Sequence, residues 1–363
     1  MIDVAVIGAG PAGLLAAREA SERGVQVTVF EEHEEIGEPE RCAGLLSLSG
    51  LQRLSVRLSS EYLQNLVRGA FFKSLMGRSY LIDTGKAVAA VVDRRLFDKF
   101  LAREAERAGA EILLGTRVTG IERSGKGFVI KTSRGAFKAK WIIDAEGAGA
   151  AILRKFFRRG TDPRSWIPIT QATVRGHGLD ANYAYLYFKK YLPDFFGYLV
   201  PIDEELGKLG AASRKPGLGK RFAKLVSEEF PKVKILSKIN YVIYTGSPIR
   251  DLGFREHFIA VGDAAGHVKA TTGGGVIFGG LIARNAAAAI AEILHGGDPK
   301  PFLREIGKAL VELRRIACFK KTLDRAPDIF LDIALAAAAS PLIKPYLANS
   351  WDMDFQLSAL LRR

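Results

Sequence analysis

Gly8-Ala9-Gly10-Pro11-Ala12-Gly13 is the first stretch of the chain whose residue types and spacing dictate a chemistry. The first glycine permits a tight turn, the second lets backbone N–H groups approach a diphosphate, and the third lets a helix pack closely on a strand. A helix N-terminus behind such a turn offers unpaired donors and a partial positive charge to phosphate oxygens. Glu31 follows the glycines by about 20 residues, where an acid accepts hydrogen bonds from ribose hydroxyls. An ordinary glycine turn is the alternative, but the flanking pattern of strand, helix and strand ending on Glu31 predicts a dinucleotide site. Gly8, Gly10, Ala12 and Gly13 are expected at its diphosphate. Hydrolytic and metal chemistry have no comparable signal. Cys42 and Cys318 are the only cysteines, the five histidines (33, 177, 257, 267 and 295) lack ligand spacing, and no G-x-S-x-G elbow or pair of catalytic carboxylates stands out. No metal is expected.

The elements that must hold this site follow from hydrophobic periodicity. Residues 4–8 and 26–31 read as strands around a helix at 12–23, and alternating runs within 67–92 as antiparallel strands. A helix over 95–108 places Leu96, Phe97, Phe100, Leu101 and Ala105 at helical spacing, and strands follow at 111–114, 127–131 and 141–143. Short β-type runs at 167–174, 183–188, 198–200 and 241–244 surround one amphipathic helix at 221–230. The apolar strand 257–261 then leads through glycines to a long Ala-rich helix, 276–294, and everything from residue 299 onward reads as helix.

Composition bounds the rest. With 363 residues and 48% hydrophobic types, more than one core is expected. The net charge of +14 is scattered, so nucleic acid binding has no supporting motif, whereas attraction to an anionic membrane surface stays open. The apolar run 333–343 is too short for a bilayer span, which takes about 20 residues. The chain enters a strand at once, without a secretory pattern, and has no disulfide framework. A cytoplasmic protein, peripheral on the inner face of the membrane, is one expectation; a soluble enzyme with a helical C-terminal subdomain is the other.

The stretch Gly262-Asp263-Ala264-Ala265-Gly266, followed by Gly273-Gly274-Gly275 and a helix, resembles the second FAD fingerprint of the para-hydroxybenzoate hydroxylase-like flavoproteins. Asp93-Arg94 with Phe97-Asp98 resembles a third element of that superfamily. The loop Gly37-Glu38-Pro39-Glu40-Arg41-Cys42-Ala43-Gly44 is similar to one of the geranylgeranyl reductase family. Phe196-Gly197-Tyr198-Leu199-Val200-Pro201 with Gly210-Ala211-Ala212 resembles that family's substrate motif, although Tyr198 stands for tryptophan, Ala212 for glycine, and Ala270 for a proline before the glycine triplet. The resemblance covers about residues 1–295.

It implies an α/β fold. A Rossmann-like FAD-binding domain would comprise residues 1–45, 93–155 and 251–298, an antiparallel β-sheet substrate domain 46–92 and 156–250, and a helical C-terminal segment 299–363. It implies FAD contacts from Glu31, Glu32, Arg41, Cys42, Ala43, Arg94, Val118, Gly262 and Asp263, and from Gly273, Gly274, Gly275 and Val276. Arg94 can equally form an ion pair with Asp98 at i+4, and Asp144-Ala145-Glu146-Gly147 is either the family's turn near the FAD adenosine or a plain strand exit. The implied reaction is reduction of isoprenoid double bonds, with a prenyl-lipid substrate against Tyr187, Phe196, Tyr198, Val200 and Pro201. Hydride would pass from flavin N5, and Cys42 is the candidate catalytic residue. With no second G-x-G-x-x-G, electrons come from NAD(P)H without a Rossmann signature or from a ferredoxin-like donor. Three rivals share these residues: an FAD monooxygenase or halogenase, a non-redox isoprenoid cyclase, and an electron carrier.

Overall fold

The structure is a computed structural model that describes residues 1–157, 160–340, 342–343 and 352–355. The chain opens with β1 (Ile2–Ile7), α1 (Pro11–Glu22) and β2 (Val27–Phe30), then β3 (Leu45–Ser47) and α2 (Leu48–Arg53). Next come β4 (Leu63–Val67), β5 (Gly69–Lys73), β6 (Ser79–Asp83), β7 (Ala89–Val92) and α3 (Arg94–Arg107). They are followed by β8 (Glu111–Leu113), β9 (Val118–Ser124), β10 (Gly127–Thr132), β11 (Gly135–Asp144) and α4 (Ala151–Phe157). The middle carries β12 (Trp166–Arg175), β13 (Tyr183–Tyr187), β14 (Gly197–Pro201), β15 (Leu206–Ala212), α5 (Leu218–Glu229) and β16 (Lys234–Tyr244). It closes with β17 (Phe258–Ala260), α6 (Val276–His295), α7 (Lys300–Leu323) and α8 (Asp328–Ala338).

Three sheets result. In the first, β8, β2, β1 and the second half of β11 run parallel, with β17 on the far side of β11. The first half of β11 instead pairs antiparallel with β10, which pairs with β9. A strand buried on both faces reads as a continuous apolar run. In β1, Val4 and Val6 face a core with α1, α3 and α6, while Ala5 and Ile7 face one with Phe128, Leu153 and Phe258. Asp93 caps α3 by accepting from the amides of Arg95 (2.9 Å) and Leu96 (3.2 Å). Along α7, Ile306, Ala309, Leu310, Leu313, Ile316 and Ala317 keep helical spacing and join the first core.

The second sheet has the order β16-β12-β15-β14-β13-β5-β6. It differs from the all-antiparallel expectation in one pair, since β13 runs parallel to β5. One face packs on α5 through Phe222 and Leu225. The other packs on Val67, Ala89 and Val91 of the strands β4 and β7. Of the strands between residues 46 and 92, only β5 and β6 join it, while β4 and β7 form a small third sheet with β3. The C-terminal segment is helical through α7 and α8, but Asp352–Phe355 is an irregular turn rather than helix. Residues 341, 344–351 and 356–363 of the expected helical tail lie outside the described residues.

Candidate functional site

Steric demands fix the first glycine turn. Gly8 has φ 96°, and a Cβ there would sit 2.6 Å from the Ala145 carbonyl oxygen. A Cβ on Gly13 would lie 2.0 Å from the Gly8 carbonyl oxygen, so only glycine lets α1 press on β1. At Gly10 a Cβ meets nothing within 4 Å, which leaves the turn open on that side. Gly10 caps α1 without a side-chain bond and Pro11 has no N–H, so the amides of Ala12 and Gly13 begin the helix without a side-chain cap. Glu31 accepts from the Ala9 amide (2.8 Å) with one oxygen and from the His33 amide (3.0 Å) with the other. Glu32 pairs with Arg117 at 3.4 Å, and the Thr116 amide donates to the Glu31 carbonyl at 2.7 Å. Val118, at the start of β9, packs on the core cluster that contains Phe30 at the end of β2.

The second turn meets the first. A Cβ on Gly262 would be 3.1 Å from the Ala12 methyl, and one on Gly279 would be 3.2 Å from the Gly262 Cα. The amide of Gly262 donates to His267 Nδ1 (3.2 Å), and burial pushes the His267 pKa down to about 3, which keeps the ring a neutral acceptor. The Asp263 carbonyl accepts from the Gly266 amide (3.0 Å), but its carboxylate receives no hydrogen bond from a described residue; burial pushes the carboxyl up and the Arg94 charge opposes that. A Cβ on Gly275 would lie 2.7 Å from Asp263 Oδ1, so the Gly273–Gly275 turn rests on this carboxylate before α6 begins at Val276. Two glycine-opened helices thus converge around a carboxylate that has no side-chain or backbone donor among the described residues. That donor and acceptor set fits a dinucleotide with a polyhydroxylated linker such as FAD.

Arg94 forms the i+4 pair, with Nε to Asp98 Oδ1 and Nη2 to Asp98 Oδ2 both at 3.0 Å and side chains only 12% and 9% exposed. Burial works against its charge, but Asp98 and the neighbouring Cys42 outweigh it and hold the guanidinium above its ordinary pKa. The Cys42 Sγ accepts from the Gly44 amide at 3.4 Å. Ala43 packs on the inner face of the second sheet, whereas Arg41 is exposed and stands apart from this cluster. Glu146 serves its own helix, since its carboxylate accepts from the amides of Ala151, Ile152 and Leu153.

On the inner face of the second sheet, Phe196, Tyr198 and Val200 lie beside Ile167, Ile169 and Ile243. Pro201 closes β14, and its carbonyl accepts from Asn65 at 3.2 Å. Tyr187 is not with them. Strand alternation turns it, with Tyr183 and Tyr185, to the α5 face, where its ring meets Phe230 at 5.4 Å. Leu186 and Phe188 take the inward positions instead.

Two residues that local patterns did not single out complete this face. Tyr198 Oη donates to Gln171 Oε1 (2.7 Å), Tyr241 Oη donates to the same oxygen (3.0 Å), and Gln171 Nε2 donates to the Cys42 carbonyl (3.1 Å). Burial pushes both phenols above their ordinary pKa, with nearby Cys42 adding to the effect on each. A Cβ on Gly210 would fall 2.2 Å from the Tyr198 ring, which is why a glycine stands beneath it. Glu40 and Lys208 were also missed: the Lys208 ammonium donates to Glu40 (2.5 Å), which also accepts from the Arg94 amide (3.1 Å). The one available signal was Gln171, a lone amide on a strand face otherwise carrying Ile167 and Ile169.

Comparison with known proteins agrees with this chemistry. The family described as FAD dependent oxidoreductase matches residues 3–154, and a second family of the same description matches 87–289. A digeranylgeranylglycerophospholipid reductase of Methanococcus vannielii is 30% identical over 311 residues, 79% of this chain and 76% of that protein. A geranylgeranyl bacteriochlorophyll reductase-like structure from Thermoplasma acidophilum superposes with a TM-score of 0.86 at 22% identity, covering 99% of this chain and 96% of that one. A flavin-dependent brominase shares the fold more loosely, with a TM-score of 0.70, 18% identity, and 96% and 97% covered.

Proposed function

The chain belongs to the geranylgeranyl reductase family of FAD-dependent oxidoreductases, and from that premise we propose that it saturates the carbon–carbon double bonds of a geranylgeranyl chain on an ether-type glycerolipid. The single observation behind the substrate choice is the inner face of the second sheet. It is apolar over Ile167, Ile169, Phe196, Val200 and Ile243, and its polar atoms gather at Tyr198, Gln171 and Tyr241 beside Cys42. An alkene chain offers no polar handle, so a wall of this kind suits it, at about 0.8 kcal/mol per buried CH₂.

FAD, when bound and reduced, would supply the hydride for one alkene carbon. In this proposal the glycine turns hold the diphosphate, Glu31 the ribose, and Asp263 with Gly273–Gly275 the linker and ring. The chain's remaining tasks are alignment, exclusion of water, and delivery of a proton to the second carbon. Cys42 holds that proton at Sγ. Gln171 fixes the Cys42 carbonyl and accepts from both phenols, and burial keeps those phenols neutral.

The deciding experiment incubates chemically reduced enzyme with geranylgeranyl glycerolipid under anaerobic conditions and weighs the product. Two hydrogens gained per bond supports saturation; an added oxygen with NAD(P)H under air, or an isomer of unchanged mass, would replace this reading with the hydroxylase or the cyclase. Cys42→Ala is expected to lower kcat about 10²-fold with FAD still bound. Full turnover in that variant removes Cys42 from the chemistry.

We also propose peripheral attachment to an anionic bilayer through α8. This helix is built inside out. Asp332 is buried and accepts from the Tyr80 hydroxyl at 3.0 Å, while Ile329, Phe330 and Ile333 are 53%, 62% and 60% exposed. A surface helix ordinarily does the reverse. Exposed Lys321 and Arg325 stand just before it, in a chain of net charge +14. The protein is expected to co-sediment with vesicles containing an anionic phospholipid at low salt, and Phe330→Ser to weaken binding at least about tenfold. Equal recovery of wild type and variant in the supernatant would remove α8 from any such role.

A further inference from the structure

Lys269 lies between the Gly262–Gly266 turn and the Gly273–Gly275 turn, and it holds the second turn from both backbone and side chain. Its amide donates to the Gly274 carbonyl (3.1 Å), and its carbonyl accepts from the amides of Gly273 (2.8 Å) and Thr272 (3.3 Å). Its ammonium is packed directly under the turn, since a Cβ on Gly274 would lie 3.0 Å from Lys269 Cε and 3.5 Å from Nζ. The side chain is buried, and a buried ammonium is costly unless paired.

Its partner comes from the far end of the chain. Lys269 Nζ donates to Asp354 Oδ1 at 2.6 Å and to the Met353 carbonyl at 3.1 Å, with side chains 5% and 2% exposed for the pair. The other Asp354 oxygen takes the Ser47 hydroxyl. Three further contacts seat the segment Asp352–Phe355. Asp352 pairs with Arg53, the Phe355 ring lies 5.0 Å from that of Phe278 on α6, and Met353 packs on the same apolar cluster of the inner face as Ala43 and Leu45. Four tail residues therefore bridge the glycine turn, α6 and the substrate face.

We propose that Lys269 and Asp354 are positioning residues for the flavin, forming a counter-charge under the Gly273–Gly275 turn that Asp354 neutralises only while the tail is docked. The inference rests on the reading that this turn faces the flavin. A helix N-terminus and a nearby cation both stabilise the negative charge that a flavin gains on two-electron reduction. With Asp354 seated, the ammonium's field at the turn is cancelled. With Asp354 withdrawn or made neutral, the ammonium acts on the ring unopposed. By linkage, whatever tail docking does to reduction, reduction must do to tail docking by the same factor.

The test is spectroelectrochemistry on FAD-loaded Lys269→Met, Asp354→Asn and the double variant. Asp354→Asn should favour reduced over oxidised flavin about tenfold, a rise of about 30 mV in midpoint potential for two electrons. Lys269→Met should shift the potential the opposite way, and the double variant should return close to wild type. Two single variants that move the potential in the same direction, or not at all, overturn the proposal, because a merely structural clamp has no sign. A measurement on the unaltered chain keeps the proposal testable should a variant not fold. Hydrogen exchange at residues 352–355 should be faster in the reduced than in the oxidised enzyme, and equal exchange overturns it. Failure of the wild type to bind FAD would instead sink the cofactor reading itself.

Discussion

Replacing Arg94 by methionine is expected to destabilise the protein by about 3–5 kcal/mol. The loss comes from what is left behind rather than from the contact removed. Asp98 is 9% exposed, and its carboxyl is already pushed upward by burial against the pull of Arg94. Without the guanidinium it must either stay charged and unpaired or take up a proton. The same change removes the positive charge that acts on Asp263 and Cys42, so FAD binding should weaken in parallel. Urea unfolding followed by far-UV circular dichroism gives the stability change. The double variant Arg94→Met/Asp98→Leu should recover most of it, because apolar residues can replace a buried pair at little cost. A double variant as unstable as the single one would show that the loss lies in packing.

Gly13→Ala should yield a colourless protein, with FAD affinity reduced more than about 100-fold and stability lowered by about 3 kcal/mol. The added methyl would sit 2.0 Å from the Gly8 carbonyl oxygen, a backbone atom that cannot swing away. α1 would have to lift from β1 and carry the amides of Ala12 and Gly13 with it. Gly10→Ala separates the two effects. Its φ is −75° and its Cβ meets nothing within 4 Å, so the fold should be untouched while the methyl enters space reserved for the diphosphate. Fluorescence titration of FAD, paired with thermal unfolding, should show Gly10→Ala losing binding alone. Loss of stability in both variants would contradict the steric account.

These glycines were legible in the sequence because the constraint on each is local: the turn, its strand and its helix are adjacent, and the residue type follows from the turn itself. The same holds for the apolar runs of β1 and β17. Tyr187 was misread because alternation along a strand tells which residues share a face, but not which face is inward; that depends on α5, far along the chain. The parallel pairing of β13 with β5 was hidden for a related reason, since strand order is not written in any one strand. Gln171 and Tyr241 lie 70 residues apart and meet only through the register of β12 with β16. Lys269 and Asp354 are 85 residues apart, and neither carries a motif. Pairs of this kind become visible only once the whole topology is assembled.

β11 carries a consequence for how the protein is made. Its first half closes a hairpin with β10, which the ribosome can deliver early and which needs only neighbours in sequence. Its second half stays bare on one edge until Phe258–Ala260 arrives to pair with Ile142–Asp144. At translation speeds of about 5–20 residues per second, that edge waits for several seconds. Cofactor loading must wait too, because Asp263 and α6 emerge later still. Nascent chains arrested before residue 258 would thus expose an unpaired strand edge and call for a chaperone, whereas those arrested beyond α6 would already be able to take on flavin.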